Sequence, residues 1–392
     1  MGIIKSTTTS TGIIPFTELY ERLLNLGRID SPNNIDFAKG LINDSYTRTL
    51  PRVEDWDILI KEANLVMIPT YTTGTVSCTV GSTSLTGSGT TFTSAMTAEA
   101  GYKIYIQGNR DIYTFEYVSA TSGTISPALS GPTDASGATF KLFKDEYDLA
   151  SDFDRFLKNG SIYVNTGGRN RDVIKEVPRD MFREDFVNAA SDPIQRCMRT
   201  RINATTGNRM VRINPYPKEA YNYPYEYFYK VTPMSDYSDG TISVTNGSTT
   251  VTGTDTLFSS NVASGEYLRV NGTGIADSSI WYKIASITSD TELELESNYA
   301  GETEASLDYM ISQAPTAFPS EFHEFILYDA LLIETGEQGD PNASAFTLRR
   351  ESILTSLKQN YKSRRTNTQY RVGDDGIRSG MYDRDDDVSY RR

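Results

Sequence analysis

Residues 74–93 read GTVSCTVGSTSLTGSGTTFT, and residues 240–259 read GTISVTNGSTTVTGTDTLFS. The two stretches align without a gap at an offset of 166, pairing Gly81 with Gly247, Gly87 with Gly253 and Phe92 with Phe258. Self-similarity at this length marks one structural unit used twice. Each copy alternates β-branched and small polar residues (Val76-Cys78-Val80; Ile242-Val244), turns at Gly81 or Asn246-Gly247, and alternates again, the signature of a β-hairpin. An aromatic-rich strand follows in each, Tyr113-Phe115-Tyr117 and Trp281-Tyr282-Ile284, and each closes near Phe140-Leu142 or Tyr309-Ile311. Short strands and Gly, Ser and Thr turns over about 70 residues predict an Ig-like sandwich or a small barrel.

The flanks differ in kind. Leu19, Leu23 and Leu26 share a helical face that stops at Gly27; Ser31-Pro32 is an N-cap and first-turn pair for a helix using Ile35, Ala38 and Ile42; Trp56, Ile60 and Ala63 predict a third helix. Between the copies the spacing predicts strands at Ser161–Asn165 and Met210–Asn214 and a helix near Arg179–Ala190. After the second copy, Phe322, Ile326, Ala330 and Ile333 mark one helix, and Phe346, Ile353, Leu357 and Tyr361 mark another, starting after Asp340-Pro341. The expected fold is therefore α+β: a mainly helical scaffold with a small β-sheet, interrupted by two homologous all-β insertions. The divisions are 1–71 (helical), 72–143 (first module), 144–237 (central α+β part), 238–312 (second module), 313–362 (helix pair) and 363–392 (extended tail). Insertion into loops costs little closure entropy when a module's ends lie close together.

The net charge of −13 over 392 residues argues against a general nucleic-acid binder. Cys78 and Cys197, the only cysteines, support neither a disulfide framework nor a zinc site, and read as two half-buried thiols. No stretch approaches the roughly 20 apolar residues of a membrane span. The sequon at Asn246 reads as a turn, and synthesis in a host cytoplasm is expected.

Candidate chemistry is sparse. The single histidine, His323, rules out an HExxH pair and reads as a helix-surface or interface residue. Thr86-Gly87-Ser88-Gly89-Thr90 has no following Lys-Ser or Lys-Thr and reads as a turn, not a phosphate loop. Asp374-Asp375 and Asp385-Asp386-Asp387 lack the alternate spacing of a calcium loop. No catalytic, cofactor-binding or metal-binding residue is assigned, and the chain is expected not to be an enzyme; a glycosidase using two of the carboxylates is the remote alternative. Tyr221, Tyr223, Tyr225, Tyr227 and Tyr229 alternate, so an extended strand carries all five on one face, buried against helices or a neighbouring subunit rather than stacked on bases or sugars. Pro224 predicts that this strand begins there or lies at an edge. From Tyr361 onward basic and acidic residues alternate among tyrosines and glycines, which favours docking on a partner.

The order of these parts resembles the head-to-tail adaptor (connector) family of tailed phages, which includes the tail tubular protein A and tail accessory factor of short-tailed phages. The N-terminal helices, YDLASDFDRF (147–156), RMVRINPYPKEAYNYPYEYFYKVTP (209–233) and FPSEFHEFILYDALLIETGEQGDPNASAF (318–346) carry the resemblance. It covers 1–70, 144–236 and 313–392 and leaves both modules out. Ala150 and Lys218 stand where the family has proline.

The resemblance implies a virion neck protein: a ring, usually of twelve copies, beneath the portal protein, with a nozzle or tail-tube protein below and tail fibres as a further contact. DNA would pass through the channel without specific binding, and no membrane is involved. The docking residues are then Tyr361, Arg364, Arg365, Tyr370, Arg371, Arg378, Tyr382, Arg384, Tyr390, Arg391 and Arg392. The rival expectation is a virion surface or carbohydrate-binding protein whose modules line a glycan site with Trp281, Tyr282, Tyr113 and Tyr117.

Overall fold

The computed structural model describes residues 12–27, 34–109, 111–157, 162–164, 172–182, 194, 196–271, 280–338 and 343–361. The chain divides into two compact units, Leu59–Thr232 on the one hand and Met1–Ile58 with Pro233–Arg392 on the other. Each contains one copy of the repeat.

In Leu59–Thr232, strand β1 (Ile60–Met67) leads into the first module: β2 (Thr75–Cys78), β3 (Ser84–Ser88), β4 (Tyr102–Ile106), β5 (Ile112–Ser119), β6 (Ser122–Ser126), β7 (Ala135–Ala138) and β8 (Phe140–Lys144). Their order is β7-β2-β3-β6-β5-β4-β8. Only Thr139 separates β7 from β8, so one bent length of chain closes both ends of the sheet.

The chain then supplies β9 (Glu146–Asp148), β10 (Phe153–Phe156), β11 (Ile162–Val164), β12 (Asp172–Glu176), β13 (Arg196–Ile202), β14 (Arg209–Asn214) and β15 (Tyr221–Tyr229). With β1 these form an eight-stranded sheet, in the order β1-β15-β11-β12-β13-β14-β9 with β10 also on β15. Among the described residues, only β12 and β13 pair in parallel.

This sheet overturns the expectation of a mainly helical scaffold: the chain is mostly β, in sheets of eight, seven and seven strands. The expected third helix is also corrected. After the turn Leu50–Val53 only a single 3-10 turn, Asp57–Leu59, is helical there, and Ile60–Met67 is a strand paired with Tyr221–Tyr229 along its whole length, a long-range ladder that outweighs local spacing. Near Arg179 only the turn Arg179–Phe182 lies within the described residues; the remainder of that predicted helix, and Ser31-Pro32, lie outside them.

The tyrosine strand behaves in part as its alternation predicts. Tyr223, Tyr225 and Tyr227 are buried and Tyr221 and Tyr229 half-buried, but the rings pack against Phe153, Phe156, Leu65 and Tyr147 of the sheet's own core, not against helices. The strand begins at Tyr221, so Pro224 lies inside it, opposite Asn64. On the other side, described partners begin only at Tyr225, an arrangement that tolerates a residue without an N–H.

In the second unit, β16 (Asp236–Tyr237), β17 (Thr241–Val244), β18 (Thr250–Thr254), β19 (Tyr267–Asn271), β20 (Tyr282–Ser289), β21 (Glu292–Leu295) and β22 (Glu304–Ser312) form the third sheet. Strand β22 pairs with both β17 and β19 and so closes a six-stranded barrel, deciding between the sandwich and the barrel.

The modules share several equivalent bonds. Gly87 N–H donates to Thr121 O at 2.8 Å and Gly253 N–H to Thr291 O at 2.8 Å; Gly81 N–H reaches Leu129 O and Gly247 N–H reaches Tyr299 O. Tyr113 Oη accepts the Ser130 N–H as Tyr282 Oη accepts the Ala300 N–H. The closing strand bends at a left-handed residue in each, Gly137 at φ +56° and Ser306 at φ +57°. Asn246 tethers its turn through Nδ2 to the carbonyls of Ala300 and Gly301.

Helices complete this unit: α1 (Phe16–Gly27), α2 (Ile35–Asp44) continuing through a π-helical turn (Ser45–Thr49), α3 (His323–Gln338) and α4 (Ala343–Tyr361). Helix α1 buries Phe16, Leu19, Tyr20, Leu23 and Leu24, the apolar stripe its spacing predicts.

Candidate docking site at the root of the tail

Of the residues expected to dock on a partner, Tyr361 is described, and Arg364, Arg365, Tyr370, Arg371, Arg378, Tyr382, Arg384, Tyr390, Arg391 and Arg392 lie outside the described residues. Tyr361 ends α4 and is half-buried, its ring 5.1 Å from that of Phe322. Phe322 in turn meets Trp56 edge-on at 5.1 Å and Phe318 at 5.1 Å, and Phe318 meets Tyr46 at 6.0 Å. Trp56 is fixed by its Nε1–H to Leu50 O at 2.7 Å, and the Ala317 N–H reaches Tyr46 Oη at 3.2 Å. Five aromatic rings thus bind the end of α4 to the Phe318–Phe322 segment and, through it, to Tyr46 and Trp56. Aromatic pairs of this kind add about 1 kcal/mol each beyond the area they bury.

Charge reinforces the same attachment. Arg350 on α4 donates from Nε to Asp329 Oδ1 at 2.7 Å and lies over the Phe325 ring, and Lys358 reaches Glu54 at 3.5 Å. Leu354 and Leu357 are buried, while Leu348 is 74% exposed. Helix α4 therefore presents one face to α3 and keeps an open one.

His323 is corrected. It is 2% exposed, not a surface residue, and its Nδ1 accepts the Ile14 N–H at 3.1 Å. Burial pulls its pKa down to about 4, so the ring is neutral and serves as an acceptor. Its place three and four residues before Ile326 and Leu327 put it on the buried stripe, a signal the sequence contained.

Beside it lies a cavity of about 720 Å³, lined by Tyr267, Trp281, Phe318 and His323, with Lys283 and Glu296 also in its wall. The latter two form an exposed ion pair at 3.1 Å. Among the described residues no cluster of three or more His, Cys, Asp or Glu could hold a metal ion. Burial raises the pKa of both buried cysteines, Cys197 to about 12, which leaves them as unreactive thiols.

Both modules are fastened to the rest of their own unit through the outer face of the same ladder, β4–β8 in the first and β19–β22 in the second. In the first, fully buried Asp145 accepts from Lys103 on β4 at 2.6 Å and from Arg212 on β14 at 2.7 Å, and Arg201 on β13 grips Glu99 at 2.6 Å. In the second, Arg269 on β19 makes a two-pronged pair with Glu21 of α1 at 2.7 and 2.9 Å and lies over the Trp281 ring. Arginine suits such planar, paired contacts. Of the aromatics proposed for a glycan site, Tyr113 and Tyr282 lie in the module cores, Trp281 is 7% exposed and lines the cavity, and Tyr117 is half-exposed.

No family model and no curated protein matches the chain. Among solved structures it is similar to translation elongation factor SelB from Methanococcus maripaludis, at 10% identity to the apo form and 11% to the complex with the GTP analogue GppNHp. Each match covers 71% of this chain and 67% of that one at a TM-score of 0.14, too low to carry any argument.

Proposed function

We propose that the chain is a structural adaptor of a phage virion neck, assembling as a ring of about twelve copies that joins the portal protein to the tail and passes DNA through its channel. What chiefly supports this reading is the way the segments carrying the resemblance fold onto one another. The YDLASDFDRF segment lies on the tyrosine strand, with the Ala150 N–H donating to Tyr225 Oη at 2.8 Å and Tyr227 Oη to Asp152 at 2.7 Å. The Phe318-Pro319-Ser320-Glu321-Phe322 segment anchors the N-terminal helices and the end of α4.

In this reading the aromatic cluster is a rigid root for the segment from Lys362 onward, which docks on the portal, while a tail-tube or nozzle protein and tail fibres bind elsewhere. Closed rings are built from two unlike faces on each protomer. An acidic protein surrounding DNA lets it slide. The rival glycan-binding reading loses Tyr113 and Tyr282 to the module cores.

Deleting residues 363–392 tests the proposal. The shortened protein should fold, as judged by an unchanged thermal transition, and fail to complete portal-containing heads. Infectious particles assembled at the normal yield would contradict it.

A further inference from the structure

The two barrels share a fold but differ over one patch of outer surface. Gly101 and Gly265, both at φ +90°, stand two residues before Lys103 of β4 and Tyr267 of β19, which are therefore equivalent. Across the ladder Phe143 lies opposite Lys103 and Ser312 opposite Tyr267, so Asp145 and Ala314, two residues further on, also correspond. The shared bonds of Tyr113 and Tyr282 match Ile112 to Trp281 and Thr114 to Lys283. Thr114 lies opposite Ser126, and the Glu296 N–H donates to Lys283 O at 2.8 Å, so Glu296 takes the place of Ser126. In the same way Glu292 and Glu294 take the places of Ser122 and Thr124.

In the first barrel these groups are spent on one another and on the adjoining sheet. Lys103 and Asp145 pair at 2.6 Å, Arg212 reaches Asp145 at 2.7 Å, and the Thr114 hydroxyl donates to Ser126 O at 2.9 Å. In the second barrel the corresponding residues, Tyr267, Trp281, Lys283, Glu296 and Ala314, all line the cavity of about 720 Å³. Folding of the barrel does not need them, since the first copy forms the same strands with other residues there.

The cavity wall has a definite hydrogen-bonding character. Arg269, itself paired with Glu21, lies 4.8 Å over the Trp281 ring and fixes it, and the buried Trp281 Nε1–H has no acceptor among the described residues. Trp56, the chain's other tryptophan, has its Nε1–H bonded to Leu50 O. A buried donor left unpaired is costly, and a ligand oxygen removes that cost. The Lys283 ammonium and the Glu296 carboxylate, 3.1 Å apart, offer a donor and an acceptor at the spacing of two neighbouring hydroxyls. Ser320 and Thr316 add hydroxyls that donate and accept, and Phe318 and Pro319 add apolar surface.

We infer that this cavity binds a neutral saccharide unit, a ligand that combines hydroxyls on adjacent carbons with an apolar face of C–H groups. A sugar oxygen accepts from the Trp281 Nε1–H, two adjacent hydroxyls bridge Lys283 and Glu296, and the C–H face lies on Phe318 and Pro319. The wall carries one charge of each sign and His323 is neutral, so neither an anion nor a cation is favoured. The volume is that of a small-ligand site. The inference goes beyond the adaptor reading and does not rest on it.

Titration calorimetry of the full-length chain tests it, with glucose, galactose, mannose, rhamnose and N-acetylglucosamine as probes. At least one should bind with a dissociation constant of roughly millimolar order and shift the tryptophan emission. Trp281→Phe should weaken that sugar about tenfold by removing the indole donor, and the emission of the remaining Trp56 should not respond. Lys283→Thr/Glu296→Ser, which installs the first barrel's residues, should leave the thermal transition unchanged and weaken binding by about tenfold or more. Methyl glycosides that bind as well as the free sugar support a site for the end of a glycan, and binding confined to the free sugar supports a soluble ligand.

Absence of binding by every probe would overturn the inference. A sugar whose affinity is unchanged in both variants binds elsewhere and would overturn it as well. Acetate or phosphate binding more tightly than any of the sugars would identify an anion site, with the same consequence. None of these outcomes bears on ring formation, which the deletion of residues 363–392 addresses separately.

Discussion

Phe115 and Gly123 occupy in the first barrel the places that Ile284 and Leu293 occupy in the second. Any side chain on Gly123 would run into the Phe115 ring, whereas Leu293 is fully buried in a core cluster that also holds the smaller Ile284. The pairings are equivalent, Phe115 lying opposite Ile125 and Ile284 opposite Leu295. A large ring beside a glycine in one copy is replaced by two medium-sized aliphatic side chains in the other, a redistribution of bulk that a packed core allows. Outward positions show the opposite behaviour, exchanging hydroxyls for carboxylates. At these positions the interior difference is matched by a second interior change, whereas the exterior one is not.

This comparison can be broken most forcefully at Gly74 and Gly240. Both are left-handed, at φ +88° and +78°, and a side chain on either would strike the backbone of the neighbouring strand, at Ser88 or Thr254. Gly74→Val and Gly240→Val should each destabilise their own unit by about 3–4 kcal/mol, read by hydrogen exchange of each barrel. Tolerance in one copy alone would refute their equivalence.

The second effect separates the units by pH. His323 is the chain's only histidine, and its pKa is pulled below the usual 6.5 to about 4. A lowered pKa means its contribution is complete above pH 6.5 and is lost as pH falls toward 4, a span worth about 3 kcal/mol. Denaturant unfolding at pH 7 and pH 4 should show this loss in the unit containing His323, and His323→Gln should flatten it. An equal acid sensitivity after that substitution would exclude this origin.

A smaller effect tests the exchanged volumes. Gly123→Leu alone should cost about 2 kcal/mol through overpacking, and adding Phe115→Ile should restore most of it. Additive losses in the double variant would show that the two positions do not compensate. The smallest concerns the bend of the closing strand: Ser306→Gly should stabilise the second barrel by about 1 kcal/mol by relieving a left-handed serine, and Gly137→Ser should weaken the first by a similar amount, both visible in thermal melts.

Local periodicity made much of this legible. The hairpins, α1, α3 and α4 follow from alternation, stripe spacing and Gly27, because their contacts lie within a few turns of chain. The eight-stranded sheet did not, since β9 and β11 have three residues each, too few to display a period of two. Strand β1 carries apolar residues at helical spacing, and what makes it extended is a partner strand more than 150 residues away. At the site, Tyr361 was singled out for its position before the tail, but its attachment to Phe322 depends on chain ends brought together by folding. His323 was misread because its polarity outweighed its place on the buried stripe.

The adaptor account is tested most directly by electron microscopy of the assembled full-length protein. It predicts closed rings, twelvefold in rotational symmetry. Threefold spikes, or dispersed single chains in the presence of portal, would contradict it.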